Sequence, residues 1–169
     1  EAVFRMIASD MKADIHFADQ VFGAVEIKPA GGEMAEMVLD ISRNRRPAYN
    51  SFHVPFTSGY QIKNTLTALA TIEQIVNQGF EFDEKAIRNG FSRVVVNTGL
   101  AGRWQILRKA PLTICDTGHN RDGIKQVVAQ INKLNFKKLH FVLGTVDDKE
   151  IDEMLSLLPA EAVYYFCKA

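Results

Sequence analysis

Apolar residues in this chain recur with two periods, and the switch between them predicts the layout. Val3, Phe4, Met6, Ile7 and Met11 have the spacing of an amphipathic helix over Ala2 to Met11. Asp14 to Ala18 and Ala24 to Ile27 alternate like short strands. Met34 to Ile41 fits a strand or a short helix. Arg43 to Ser58 is polar and contains proline, so Phe52 to Phe56 is expected to be extended or loop-like. Gln61 to Val76 is the clearest helix, with Ile62, Leu66, Leu69, Ile72, Ile75 and Val76 as its apolar stripe. Asp83 is placed to cap a further helix to about Arg93, in which Ile87 and Phe91 lie one turn apart.

Asn97 to Gly102 is a small-residue break, and a domain boundary is expected there, giving domains 1–101 and 102–169. Beyond it the order reads strand, strand, helix, strand, helix, strand. Trp104–Leu107 and Leu112–Cys115 are the first strands, followed by a helix over Asn120–Leu134 with Ile124, Val127, Val128 and Ile131 on one face. Leu139–Leu143 is a strand, Ile151–Leu158 a helix and Val163–Phe166 the last strand. This alternation argues for an α/β fold with a parallel sheet.

Composition narrows the classes. The chain has 169 residues, 47% hydrophobic and 24% charged, which is ordinary for a globular protein. Lys+Arg and Asp+Glu both number 20, so no broad attraction to nucleic acid or a membrane surface is indicated. Cys115 and Cys167 form no CxxC pair and sit in apolar runs, so they read as small buried hydrophobes. Reduced thiols and the lack of a membrane-length apolar run lead to the expectation of a cytoplasmic location without a membrane partner. His16, His53 and His140 lack ligand-spaced neighbours, and no zinc pattern is present.

Four stretches could carry chemistry. Leu112 to Asn120 is a buried strand ending at Asp116, followed by Thr117, Gly118 and His119, with a helix starting near Asn120. Ligands of open α/β sheets bind at such junctions, where backbone N–H groups and the helix dipole favour an anion. Asp116 could accept a ribose hydroxyl, orient a cation or position an amine, and His119 could donate to an anion. Equally, Asp116 and Asn120 could simply cap the helix. In Gly102-Arg103-Trp104-Gln105, the arginine could clamp a phosphate or stack on Trp104. Gln61 and Asn64 share a face at a helix start after Gly59, where their amides could meet a base or phosphate, or serve only as first-turn polar residues. Gly144 to Glu150 follows a buried strand, and its carboxylates next to Lys149 could be part of a site or a solvated helix start.

The order and spacing of these stretches resemble the folylpolyglutamate synthase/dihydrofolate synthase family within the Mur ligase superfamily. The matching residues are Gly59, Gln61 and Asn64, then Gly102, Arg103 and Gln105, then Asp116, Gly118, His119 and Asn120, then Asp148 and Lys149. The resemblance runs from about Gly59 to the end. It implies the end of a Mur-ligase-type central ATPase domain followed by the first half of a Rossmann-like C-terminal domain. It also implies an ATP-dependent amide ligase that acts on folate or dihydropteroate and L-glutamate through an acyl phosphate, with Mg²⁺ at the phosphates. Asn64 and Gln61 would contact the nucleotide and Arg103 would reach the phosphates. Asp116 and His119 would hold the nucleotide or the glutamate. Thr117 and Gly118 stand where the commoner family motif has Gly-Ala, and Arg121 where it has Pro. No Gly-rich Lys-Ser/Thr phosphate loop occurs in the chain. The phosphate loop and the Mg²⁺ ligands are therefore expected in a missing N-terminal part, and this piece alone is expected to be inactive. The alternatives are a Mur ligase of cell-wall precursor synthesis and a non-catalytic nucleotide-binding or interaction domain.

Overall fold

The computed structural model describes residues 1–27, 36–145 and 151–168. The chain divides into two compact units, Glu1–Leu100 and Ala101–Ala169. Asp147, Asp148, Lys149 and Glu150 lie outside the described residues.

The first unit is built on a three-stranded antiparallel sheet in the order β1 (Phe22–Ile27), β2 (Met37–Arg43), β3 (Arg46–Val54). Strand β2 is central and packs Met37, Leu39 and Ile41 into the core. Phe22, Phe52 and Val54 join them, and Leu66 and Leu69 of helix α3 (Tyr60–Asn77) cover that face. A two-residue turn at Asn44 and Arg45, both with positive φ, joins β2 to β3. The pairing slips between Leu39 and Ile41, where the Ser51 amide donates to Asp40 Oδ1 at 2.9 Å.

Helix α1 (Ala2–Met11) ends on Lys12 in the left-handed conformation and buries none of its residues. Helix α4 (Glu84–Ser92) starts at Asp83, whose Oδ1 accepts the Ala86 amide at 2.5 Å. Its Ile87 and Phe91 reach the core, with the Phe91 ring edge-on to Phe52 at 5.0 Å. Arg88 ties α4 to β3: its guanidinium donates to the Asn50 carbonyl at 3.1 Å and lies over the Tyr49 and Phe52 rings.

Several expectations for this unit are corrected. Asp14 to Ala18 is not a strand. It runs as coil into the short helix α2 (Ala18–Val21). The polar, proline-containing stretch after Arg43 is strand β3. Most of its first half is exposed, so it shows no buried alternation until Phe52 and Val54. On α3 the buried face is Gln61, Thr65, Leu66 and Leu69, rotated from the expected apolar stripe, and Val76 is exposed. A further short helix, α5 (Val94–Thr98), stops at Gly99, whose φ is 68°.

The second unit pairs its strands in two ways. Strands β4 (Gln105–Lys109) and β5 (Leu112–Cys115) are antiparallel, whereas β6 (His140–Thr145) and β7 (Val163–Lys168) are parallel. The expected parallel sheet is thus confined to β6 and β7 among the described residues. The reason is chain length. Only Ala110 and Pro111 separate β4 from β5, and a parallel pair needs a crossover of roughly a dozen residues. Helix α6 (Arg121–Ile131) packs Val127 and Ile131 on Trp104, and Ile124 on Met154 and Leu158. Phe141 of β6 packs against both clusters. Met154 belongs to helix α7 (Ile151–Leu155), inside the β6–β7 crossover. Cys115 is half-buried but Cys167 is exposed, so the second thiol is not the buried hydrophobe expected. Among the described residues no helix is long and apolar enough to cross a membrane.

Candidate functional site

The loop between β5 and α6 is organised by one carboxylate. Asp116 Oδ2 accepts the Trp104 amide and Oδ1 accepts the Gly118 amide, each at 2.8 Å. The first bond holds the residues that lead into β4, and the second closes an Asx turn that reverses the chain toward α6. Trp104 is buried and has a φ of 52°, an uncommon conformation for a large residue. Its bond to Asp116 lies at that point of strain.

Thr117 makes the second tie. Its amide donates to the Gly102 carbonyl at 2.8 Å, and its hydroxyl donates to the same oxygen at 3.0 Å. The hydroxyl also accepts from Arg103 Nη1, which fixes the guanidinium beside the loop. Gly102 has a φ of 70°, and a Cβ there would overlap Thr117 Cγ2. Gln105 Oε1 accepts the Gly102 amide at 3.0 Å. Arg103 therefore rests on Thr117, and no ring contact to Trp104 is needed to hold it.

Two residues remain at the helix entrance. Asn120 Oδ1 accepts the Gly123 amide at 2.8 Å, which makes Asn120 the N-cap of α6. His119 is exposed, with Nδ1 3.2 Å from the Thr117 carbonyl. A carbonyl only accepts, so Nδ1 carries the proton in this contact, and a neutral ring then presents Nε2 as an acceptor. Gly118 and Gly123 approach closely, since a Cβ on Gly123 would lie 3.2 Å from Gly118 Cα. The turn thus packs directly on the first turn of the helix.

Gln61 and Asn64 belong to the first unit, at the start of α3. Gln61 is 4% exposed and Asn64 is exposed. Asn64 Nδ2 donates to Gln61 Oε1 at 3.0 Å, so the pair forms an amide ladder from the core to the surface. Gly59 has an ordinary helical φ of −57°. Ser58 precedes it, and among the described residues its buried hydroxyl has no hydrogen-bond partner. Among the described residues no group of three or more His, Cys, Asp or Glu side chains could hold a metal ion.

The structure thus gathers Gly102, Arg103, Gln105, Asp116, Gly118, His119 and Asn120 around one turn, with Gln61 and Asn64 at the head of a helix in the other unit. Sequence reasoning missed Thr117, which stood out only as a departure from a motif. The signal available was a β-branched hydroxyl one residue after Asp116, which can both donate and accept across a glycine.

Residues 102–168 match the Mur ligase, glutamate ligase domain. The chain is 29% identical over 116 residues to a probable bifunctional folylpolyglutamate synthase/dihydropteroate synthase of Haloferax volcanii, covering 69% of this chain and 13% of that protein. It is 26% identical over 159 residues to the dihydrofolate synthase/folylpolyglutamate synthase of Mycobacterium tuberculosis, covering 90% of this chain and 31% of that protein. The chain therefore spans about a third or less of the length of these relatives. Among solved structures, Mycobacterium tuberculosis folylpolyglutamate synthase complexed with ADP superposes with a TM-score of 0.78 at 24% identity, over 98% of this chain and 35% of that one. A folylpolyglutamate synthase complex with AMPPCP and folate gives a TM-score of 0.79 at 19% identity, over 98% of this chain and 39% of that one. These structural likenesses concern the fold. Residues 102–168 thus resemble a Mur ligase, glutamate ligase domain, and the chain is similar in sequence to proteins named as folylpolyglutamate and dihydrofolate synthases.

Proposed function

We propose that this chain is part of an ATP-dependent amide ligase that adds L-glutamate to folates. Dihydrofolate synthesis from dihydropteroate is the second activity assigned to the same enzyme in this proposal, which places it in the cytoplasm. The observation that carries this reading is the 26% identity across 159 residues, 90% of this chain, to a dihydrofolate synthase/folylpolyglutamate synthase. In this reading residues 1–101 are the last part of a central ATPase domain, and residues 102–169 begin a Rossmann-like C-terminal domain.

The chemistry has two steps. The γ-phosphoryl group of ATP passes to a carboxylate oxygen of the folate, giving an acyl phosphate and ADP. The amine of glutamate then attacks the acyl carbon, the C–O bond to phosphate breaks, and the amine loses a proton as the amide forms. The residues of this chain bind and position rather than react. The exposed amide of Asn64, held by buried Gln61, contacts the nucleotide. Arg103, braced by Thr117, neutralises phosphate charge. His119 offers a ring nitrogen to the nucleotide or the incoming glutamate. Asp116 holds the turn that presents His119, because both of its oxygens already accept backbone amides. The Mg²⁺ ligands are proposed to lie in the part of the enzyme outside this chain, and among the described residues no group of three or more His, Cys, Asp or Glu side chains could hold a metal ion.

Measuring ADP release and glutamylated product for the 169-residue chain and for the complete gene product tests the proposal. The complete product should turn over with folate and glutamate, while the 169-residue chain alone should not. Turnover with a UDP-sugar precursor in place of folate would assign the protein to cell-wall synthesis. Turnover by the 169-residue chain itself would refute its incompleteness.

A further inference from the structure

We propose that the tip of the β2–β3 hairpin is a binding site for an oligo-γ-glutamate tail, an inference that rests on the ligase reading above. The tip is Arg43-Asn44-Arg45-Arg46, so three of its four residues carry a guanidinium, in a chain whose formal net charge is zero. Arg43 and Arg46 face each other across the strands. Arg43 is ion-paired with Glu73 of α3. Arg45 and Arg46 are exposed, and among the described residues neither has a carboxylate partner.

Local stability does not explain this composition. Asn44 has a φ of 50° and Arg45 a φ of 64°, the geometry in which a two-residue turn favours Asn-Gly. An arginine in the left-handed region costs on the order of 1–2 kcal/mol relative to glycine. Like charges placed directly opposite on antiparallel strands also repel. The hairpin keeps three arginines against both preferences, a pattern expected where a binding role overrides the local optimum.

Carboxylates fit the tip better than bases do. Each guanidinium fork can take a carboxylate through two parallel bonds. Ser42 and Pro47 flank the tip along the strands and Phe22, paired with Arg43, is buried, so among the described residues these neighbours offer no exposed aromatic ring for base stacking. A ligase that adds glutamate makes a ligand that gains one carboxylate per cycle, which is the charge the tip lacks. Arg45 and Arg46 lack a carboxylate partner among the described residues, so a gain in affinity should appear once an oligomer presents more than one carboxylate.

Calorimetric titration of the chain with γ-linked glutamate oligomers, from one to several residues, tests the site. The expected result is affinity that rises about fivefold or more with length at low salt and is flattened by high salt. In R45N/R46Q, which keeps a turn-compatible residue at position 45, the rise should vanish while circular dichroism shows an unchanged fold. A flat length dependence in the parent chain, or a rise that survives in R45N/R46Q, overturns the proposal. So does a single-stranded oligonucleotide that binds more tightly than the longest oligomer and is lost in the same variant. Folate turnover by the complete gene product is scored separately. Turnover with flat tail binding rejects the hairpin site alone. Absent turnover with length-dependent binding rejects the ligase reading and leaves an oligocarboxylate site.

Discussion

Gly102 and Thr117 are packed so closely that only a hydrogen fits on the Gly102 α-carbon where Thr117 Cγ2 approaches. The same two residues share two hydrogen bonds, from the Thr117 amide and hydroxyl to the Gly102 carbonyl. Gly102→Ala therefore meets two penalties, a steric overlap and a φ of 70°. The expected loss is roughly 2–4 kcal/mol of stability in the second unit. Gly99→Ala is the control, because Gly99 has a φ of 68° but nothing within 4 Å of a built Cβ. It should cost only about 1–2 kcal/mol. Urea unfolding of both variants checks the difference, and equal losses would mean that contact with Thr117 contributes nothing.

Ser58 leads to a prediction of the opposite sign. Its hydroxyl is 0% exposed and has no partner among the described residues, so folding strips it of water without replacement. Ser58→Ala removes that penalty with little change in shape, and it should stabilise the first unit by about 1 kcal/mol. Thermal unfolding reads this as a raised midpoint. A lowered midpoint would show that the hydroxyl is satisfied in solution.

The longer helices were legible because their signals are local, whereas the short α2 and α5 were not anticipated. The capping carboxylate of Asp83 and the capping amide of Asn120 lie where the apolar periodicity begins, and both make the cap bonds that their position suggests. Strand β3 was not legible, because Arg46 to Ser51 is almost wholly exposed and only Phe52 and Val54 report burial. The pairing of β4 with β5 follows from the two-residue gap between them, which a count of strands and helices ignores. At the β5–α6 turn the residue types were visible in the sequence, but their division of labour was not. That Asp116 reaches back to Trp104, and that Thr117 holds Arg103, are contacts across 12 and 14 residues. Spacing along one element cannot reveal them.

Tyr49 makes the first unit sensitive to alkali. Burial pushes its phenol above the ordinary value of 10.0, and the nearby Glu84 and Glu73 carboxylates push the same way. Below about pH 10 the phenol is protonated in both the folded and unfolded chain, and its contribution does not change with pH. Above that value the unfolded chain loses the proton first. Stability then falls as pH rises, until the folded phenol also ionises. Tyr49→Phe should flatten this decline and remove a late-titrating phenolate from the absorbance titration. Burial raises Tyr164 as well, so part of the decline should survive in that variant. An unchanged slope in Tyr49→Phe would show that Tyr49 ionises normally.

Asp116 and His119 are three residues apart in one turn, yet they should respond differently to substitution. Asp116 accepts two backbone amides, so Asp116→Asn replaces one acceptor oxygen by a donor that faces an N–H group. That change should cost roughly 1–3 kcal/mol and increase hydrogen exchange at the Trp104 and Gly118 amides. His119 is exposed and its contact with the loop is between Nδ1 and the Thr117 carbonyl, so His119→Ala should change stability by no more than about 0.5 kcal/mol. If the ring binds ligand, the same variant should weaken nucleotide or glutamate binding by the complete gene product, with its unfolding midpoint unchanged. Asp116→Asn should lower both affinity and stability, because it loosens the turn that presents the ring. Calorimetric titration paired with urea unfolding separates the two patterns. Normal affinity in His119→Ala would remove the histidine from the binding residues and leave the turn as an N-capped strand–helix connection.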